Sequence, residues 1–182
     1  MHSRPPRDPV ISTAAERYPL GVHHTPMGNE TLTLRRANAD DAEFAFAVKR
    51  AALGMYVAQT WGWDEEFQRA FHAADWAVRW PDIVELDGAA IGTIEVVEQP
   101  TGLELGEFYL LPAYQRCGYG SALLRRVLDR ADAERRIVRL QFLKVNPVRS
   151  LYERHGFRVV GESATHYHAE RLPEPPDLPR DA

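Results

Sequence analysis

The hydrophobic positions change their period along the chain, and each change marks an element. Residues 31–35, Thr-Leu-Thr-Leu-Arg, alternate and predict a strand. Asn38 stands where a helix cap is needed, and Asp40, Asp41 and Glu43 suit a first turn. Phe44, Val48, Ala51 and Met55 recur at helical spacing, which predicts an inward face on a helix ending between Gly54 and Gly62. A second amphipathic stretch covers residues 64–74. Residues 83–86 and 90–97 flank Asp87-Gly88, the signature of a tight hairpin. Residues 103–111 form a further strand, ended by Pro112. A strong helix spans 118–135, with Leu123, Leu124, Val127, Leu128 and Ala131 on one face. Residues 137–145 read as a strand. Asn146-Pro147 then starts a helix whose Val148, Leu151, Tyr152 and His155 share a face, and Gly156 stops it. Residues 157–160 and 164–169 are strands. This order predicts an α+β fold with a mixed sheet.

The two ends read differently. Pro5, Pro6, Pro9, Pro19 and Pro26 interrupt residues 1–29, which predicts a poorly ordered Pro-rich leader. Pro173, Pro175, Pro176 and Pro179 mark residues 173–182 as a Pro-rich tail. Residues 30–172 then form the folded domain, and 182 residues suit one domain with tails. A single cysteine excludes a disulfide framework and a multi-cysteine metal site. Lys and Arg total 22 against 26 Asp and Glu, a net charge of −4 that disfavours nucleic acid and anionic membranes as partners. No apolar run approaches the ~20 residues of a membrane helix. The leader lacks the apolar core of a secretory signal, so a soluble, cytoplasmic protein is expected. The pattern leaves monomer and homodimer both open.

The chemistry concentrates between the strand at 103–111 and the following helix. There the chain reads Leu110-Leu-Pro-Ala-Tyr-Gln-Arg-Cys-Gly-Tyr-Gly-Ser121. A helix N-terminus presents unpaired N–H groups and the positive end of the helix dipole. Gly118 and Gly120 leave no side chain in the path of a phosphate, and Arg116 adds charge. No acid sits in the first turn to compete with an anion.

Gln115-Arg116-Cys117-Gly118-Tyr119-Gly120-Ser121 resembles the pyrophosphate loop, Gln/Arg-x-x-Gly-x-Gly/Ala, of the GNAT superfamily of acetyl-CoA-dependent N-acetyltransferases. Asn146-Pro-Val-Arg-Ser-Leu-Tyr-Glu-Arg-His-Gly-Phe157 is similar to that family's late signature of Asn, Leu-Tyr-Glu and Gly-Phe. The two blocks stand in the family's order, and the element order fits from residue 31 to 169. The resemblance implies a mostly antiparallel sheet splayed at its centre, with helices on both faces. It implies acetyl-CoA as acyl donor, with no metal. The pantetheine arm would pair with Phe108, Tyr109 and Leu110, and a main-chain N–H there would meet the acetyl oxygen. The pyrophosphate would rest on the loop from Gln115 to Ser121, and Asn146 would also lie on the cofactor side. Tyr152 matches the family's usual general acid.

The general base is left open among carboxylates. Glu104, Glu107 and Glu95 lie on or beside the same strand, and strict alternation puts Glu107 on the face of Leu103, Leu105 and Tyr109. Glu104 then shares the other face with Phe108 and Leu110; Glu107 is preferred. Tyr56, Trp61, Trp63 and Gln68 are candidates for the acceptor pocket, with Asp64 and Glu65 able to orient an amine. His166 reaches the pocket from the last strands. His166 and His168 alone make no metal site. Cys117 lies in the phosphate loop and is not read as a nucleophile. The leading reading is an N-acyltransferase moving acetyl from acetyl-CoA to a primary amine by direct attack. A non-catalytic acyl-CoA sensor of the same fold is the alternative. A nucleotide-binding loop is disfavoured because Gly-x-x-x-x-Gly-Lys-Ser/Thr is lacking.

Overall fold

The computed structural model describes residues 30–174. The predicted leader, and the predicted tail beyond its first two residues, lie outside the described residues. Asn38 forms a capping box: its side chain accepts from the Asp40 N–H at 2.9 Å, and Asp41 accepts from the Asn38 N–H at 2.8 Å. Arg35 grips the same Asp41 carboxylate through both terminal guanidinium nitrogens, at 2.7 and 2.8 Å, and holds its pKa below the usual range. Strand β1 (Leu32–Arg36) is thereby tied to the start of helix α1 (Ala42–Trp61).

Helix α1 buries Ala45, Phe46, Val48, Lys49 and Val57. That corrects the expected face: Val48 is inside, but Phe44 is half-buried, Ala51 is exposed and Met55 is 69% exposed. The first turns read Ala-Glu-Phe-Ala-Phe-Ala-Val, apolar on nearly every side, so spacing alone admits two stripes. The stripe of Ala45, Phe46 and Lys49 is selected from both sides: the helix packs on the sheet, and Phe46 and Lys49 meet His72 and Phe71 of the next helix. The helix also runs through Gly54 and ends at Gly62, whose φ of 84° suits a glycine stop.

Helix α2 (Glu65–Trp76) follows, capped by the Asp64 side chain accepting from the Phe67 N–H at 3.0 Å. Strands β2 (Asp82–Leu86) and β3 (Ala89–Gln99) turn through Asp87 and Gly88, both at positive φ as a tight hairpin requires. Strand β4 (Gly102–Leu110), helix α3 (Tyr119–Ala133), strand β5 (Val138–Leu143), helix α4 (Arg149–Arg154), and strands β6 (Arg158–Glu162) and β7 (His166–Arg171) complete the order. The sheet runs β1-β2-β3-β4-β5-β7-β6, and only β4 and β5 are parallel neighbours. Helix α3 packs its predicted leucine face on one side of the sheet, against Ile94, Leu103, Leu105, Val138 and Leu140. Helix α1 packs against β3 and β4.

Two features of β4 place the site. Its pairing with β5 stops after Leu105 and Leu140, whereas its pairing with β3 continues to Leu110 opposite Gly92. The edge of β4 from residue 106 to 110 is thus left without a strand partner as β4 and β5 splay apart. The second feature is a bulge. Ile94 faces Phe108 but Val96 faces Leu105, so β4 carries one extra residue. Parity flips there, and Phe108 and Leu110 join Leu103 and Leu105 in the α3-side core. Glu107 and Tyr109 therefore share a face with Glu104, not with Leu103 and Leu105 as strict alternation predicts.

Gly92 lets β3 lie close to this stretch. A Cβ there would press on the Tyr109 carbonyl oxygen and stand 2.6 Å from Leu110 Cδ2. Gly92→Ala is expected to cost about 1–3 kcal/mol through overpacking. A urea midpoint equal to wild type would show that the strands can part there without penalty.

Candidate active site

The splay opens into a cleft of about 1070 Å³. Its floor is the free edge of β4. At one end lie Gln115, Arg116, Gly118, Gly120 and Ser121, and at the other Tyr56, Phe71, Asp75, Glu95 and Glu107. Tyr152, Asn146 and His166 also line it.

The loop is shaped by its backbone. Gln115 Nε2 donates to the Leu110 carbonyl at 2.8 Å, closing the turn after β4. Arg116 at φ 60° and Gly118 at φ 89° swing the chain into α3. The first helical bond there is the Ala122 N–H to the Gly118 carbonyl, so the N–H groups of Gly120 and Ser121 have no partner within the helix. The first turn holds no acid. A Cβ at Gly120 would make only ordinary contacts, 3.8 Å or more, with Leu151, Leu110 and Phe108. This arrangement suits a polyphosphate. The open β4 edge suits an amide-bearing chain lying beside it, as a missing strand would.

Tyr152 projects from α4 into the cleft wall. Its ring sits 5.4 Å from Phe142 and 5.7 Å from Phe157, and the residue is 7% exposed. Burial alone pushes its hydroxyl above the ordinary phenol range, so the proton stays on. Glu107 stands on the bulge. Burial pushes its carboxyl up to about 7, with Glu95 and Asp75 adding to the rise and Lys49 and Arg79 opposing it. Glu95 is likewise raised by burial and is paired with Arg79 Nε at 3.2 Å. Gly106 makes room for it, since a Cβ there would stand 2.5 Å from Glu95 Oε2. Glu95 and Glu107 also face a recess of about 30 Å³ bounded by His72, Asp75, Trp76 and Arg79.

Glu104 also lines the cleft, exposed and accepting from Gln99 Nε2 at 3.2 Å. Phe108, Tyr109 and Leu110 line it as expected. Asn146 serves as a local cap, accepting from the Val148 N–H at 3.0 Å. Seven expected residues are not among those lining the cleft: Trp61, Trp63, Asp64, Glu65, Gln68, Cys117 and Tyr119. Trp63 packs its ring on Gly54 and donates to Glu65 at 2.8 Å, fastening α1 to α2. Gln68 lies on α2 away from the cleft lining. Tyr119 is buried in the core, with its hydroxyl bonded to Glu30. Cys117 turns its sulfur to the Gln115 carbonyl at 3.3 Å. Trp61 stands at the rim, 58% exposed, with its ring 5.8 Å from His166. The sequence reading missed Phe71, Asp75 and Arg79. The i,i+4 spacing of Asp75 and Arg79 at the end of α2 is the one local signal that marks them. Among the described residues, no cluster of three or more potential ligands could hold a metal, and no helix is long and apolar enough to cross a membrane.

A glycine-edged turn at a helix N-terminus beside a splayed parallel strand pair is the frame of an acetyltransferase fold. Residues 40–157 match the Acetyltransferase (GNAT) family, and the chain belongs to that family of acetyltransferases. Among solved structures, the PaiA N-acetyltransferase of Thermoplasma acidophilum, in complex with coenzyme A, is 20% identical with a TM-score of 0.64, covering 78% of this chain and 99% of that one. The ribosomal-protein-S18-alanine N-acetyltransferase of Escherichia coli is 17% identical with a TM-score of 0.58, covering 81% and 99%. Naa50 of Arabidopsis thaliana, in complex with the bisubstrate analogue CoA-Ac-MVNAL, is 15% identical with a TM-score of 0.51, covering 77% and 97%. No protein of curated function is significantly similar in sequence.

Proposed function

We propose that this protein transfers acetyl from acetyl-CoA to a primary amine by direct attack, with Glu107 as general base and Tyr152 as general acid. The observation that carries the reading is one cleft holding two groups of opposite duty. The carboxyl of Glu107 sits near 7 and the buried phenol of Tyr152 keeps its proton. Acetyl-CoA supplies the activated acyl group. The N–H groups of the Gly118–Ser121 turn would hold its diphosphate, and the free edge of β4 at Phe108 and Tyr109 would pair with its pantetheine amides. A main-chain N–H on that edge would meet the acetyl oxygen as charge develops on it. Glu107 takes a proton from the acceptor ammonium or amine. Tyr152 gives its proton to the leaving sulfur. An acyl-CoA sensor would need the cradle but neither of these groups. A cytoplasmic location accords with the donor and with the single cysteine.

The test is a panel of primary amines incubated with acetyl-CoA and the full chain. Mono-acetylated product that depends on the enzyme supports the reading, while tight CoA binding without turnover on any amine would move the protein to the sensor class.

The donor site is tested separately. Acetyl-CoA and CoA are expected to raise the melting temperature, by about 2.7 kcal/mol of stability at a hundredfold excess over Kd, and ATP and NAD much less. Gly120→Asp places a carboxylate at the anion site and should abolish the shift, whereas Gly120→Ala fits the space and should keep most of it. Normal CoA affinity in Gly120→Asp would refute the phosphate assignment.

A further inference from the structure

Lys49 is a buried cation that the proposed mechanism does not use. It projects from the inner face of α1 and is 8% exposed. Among the described residues its side chain makes no hydrogen bond and no ion pair; its ammonium lies 5.0 Å from the centre of the Phe71 ring. Leucine or methionine would fill this position without burying a charge, so an unpaired ammonium here is a cost to folding. The cost falls beside the cleft, because Phe71 lines it and α1 packs on β4. Several charged or titratable groups surround Glu107: Lys49 from α1, Asp75 from α2, Arg79 from the connection to β2, Glu95 from β3, and Tyr109 from its own strand. His72 of α2 feels Lys49 as well, and its pKa is lowered chiefly by burial. Arg79 is already engaged by Glu95 at 3.2 Å and Asp75 at 3.9 Å. Lys49 is therefore the cation in this group whose charge no carboxylate has claimed by direct contact.

We propose that Lys49 is a positioning residue for the transfer: its unpaired ammonium, held over Phe71 behind the cleft wall, keeps Glu107 charged and ready to take the acceptor's proton. Without it, Glu107 would face Glu95 and Asp75 with only a neutralised Arg79 to offset them. The inference rests on Glu107 being the base, and its test is chosen to stand apart from that role.

The full chain labelled with carboxyl-¹³C glutamate is titrated by NMR, and the Glu107 signal is identified by its loss in Glu107→Gln. In Lys49→Met the Glu107 midpoint should rise by about one pH unit, the low end of what a nearby opposite charge contributes. Lys49→Arg should return most of that shift. In activity, the acid limb of kcat/KM should move with the carboxyl midpoint, so that Lys49→Met loses about tenfold below the limb and little on the plateau. A Lys49→Met protein that melts normally, binds CoA and titrates Glu107 as wild type overturns the proposal. Should methionine prevent folding, Lys49→Gln carries the same comparison. If Glu107→Gln turns over normally while Lys49→Met still shifts the carboxyl, the base assignment has failed and the electrostatic coupling stands.

Discussion

Glu107→Gln is expected to lower kcat by ~10²–10⁴, the range for loss of a general base, with acetyl-CoA affinity nearly unchanged. The glutamine keeps the side chain's length beside Glu95 and loses only the ability to take a proton. The pH dependence has a fixed direction. With the carboxyl near 7, the base is ionised above that pH, so wild-type kcat/KM falls as pH drops through about 7, and Glu107→Gln should lack this limb. Stability moves the other way. The folded carboxyl lies above its unfolded value of about 4.3, so the folded state binds the proton more tightly. Its stabilising contribution is complete below the unfolded pKa and is lost as pH rises through the folded one. At pH 8 the wild type therefore carries a half-buried charge that Glu107→Gln lacks, and the variant should melt higher. Lower activity with higher stability marks a site residue rather than a structural one. A variant that is both less stable and fully active at pH 8 would remove Glu107 from the mechanism and turn attention to Glu95 or Glu104.

Much of this site was legible because its local signals are strong. Gly118 and Gly120 before a leucine-faced helix report a tight turn into that helix without any tertiary information, and the turn forms there. The Asp87-Gly88 hairpin and the cap at Asn38 are equally local. The β4 face was illegible for a definite reason. Alternation assumes one residue per step, and the bulge after Leu105 inserts one that composition does not announce, so Glu107 and Tyr109 change sides. The face of α1 failed differently, since a segment apolar on every side leaves the choice of stripe to its packing against the sheet and α2. Trp63 was misread because an indole fits a pocket and a helix junction equally well; its bond to Glu65 and its packing on Gly54 decide for the junction. Asp75, Arg79 and Phe71 reach the cleft only because α2 folds back on α1 and the chain after it brings Arg79 to Glu95 of β3, a relation that no spacing within the chain encodes.

Tyr152→Phe is expected to lower kcat by ~10²–10⁴ and to leave acetyl-CoA binding nearly intact. The phenylalanine ring retains the contacts with Phe142 and Phe157 that fix α4 against the sheet, so the cleft should keep its shape. Only the hydroxyl proton is lost. Burial holds that proton well above neutral pH, so Tyr152 gives no limb of its own in the neutral range and the variant's profile should keep the limb of Glu107. The loss should fall on kcat, because a proton delivered to the leaving sulfur matters in the transition state and not in the ground-state complex. It should shrink when the leaving thiol is made more acidic, since a better leaving group needs less protonation. The opposing view makes Tyr152 a core aromatic whose hydroxyl is incidental, and it predicts near-normal turnover with every thiol. A correctly folded Tyr152→Phe protein with full kcat, under conditions where chemistry limits the rate, would establish that view. The proton would then have to come from water, because the neighbouring His155 is turned to the Leu151 carbonyl at 2.8 Å and is not among the residues lining the cleft.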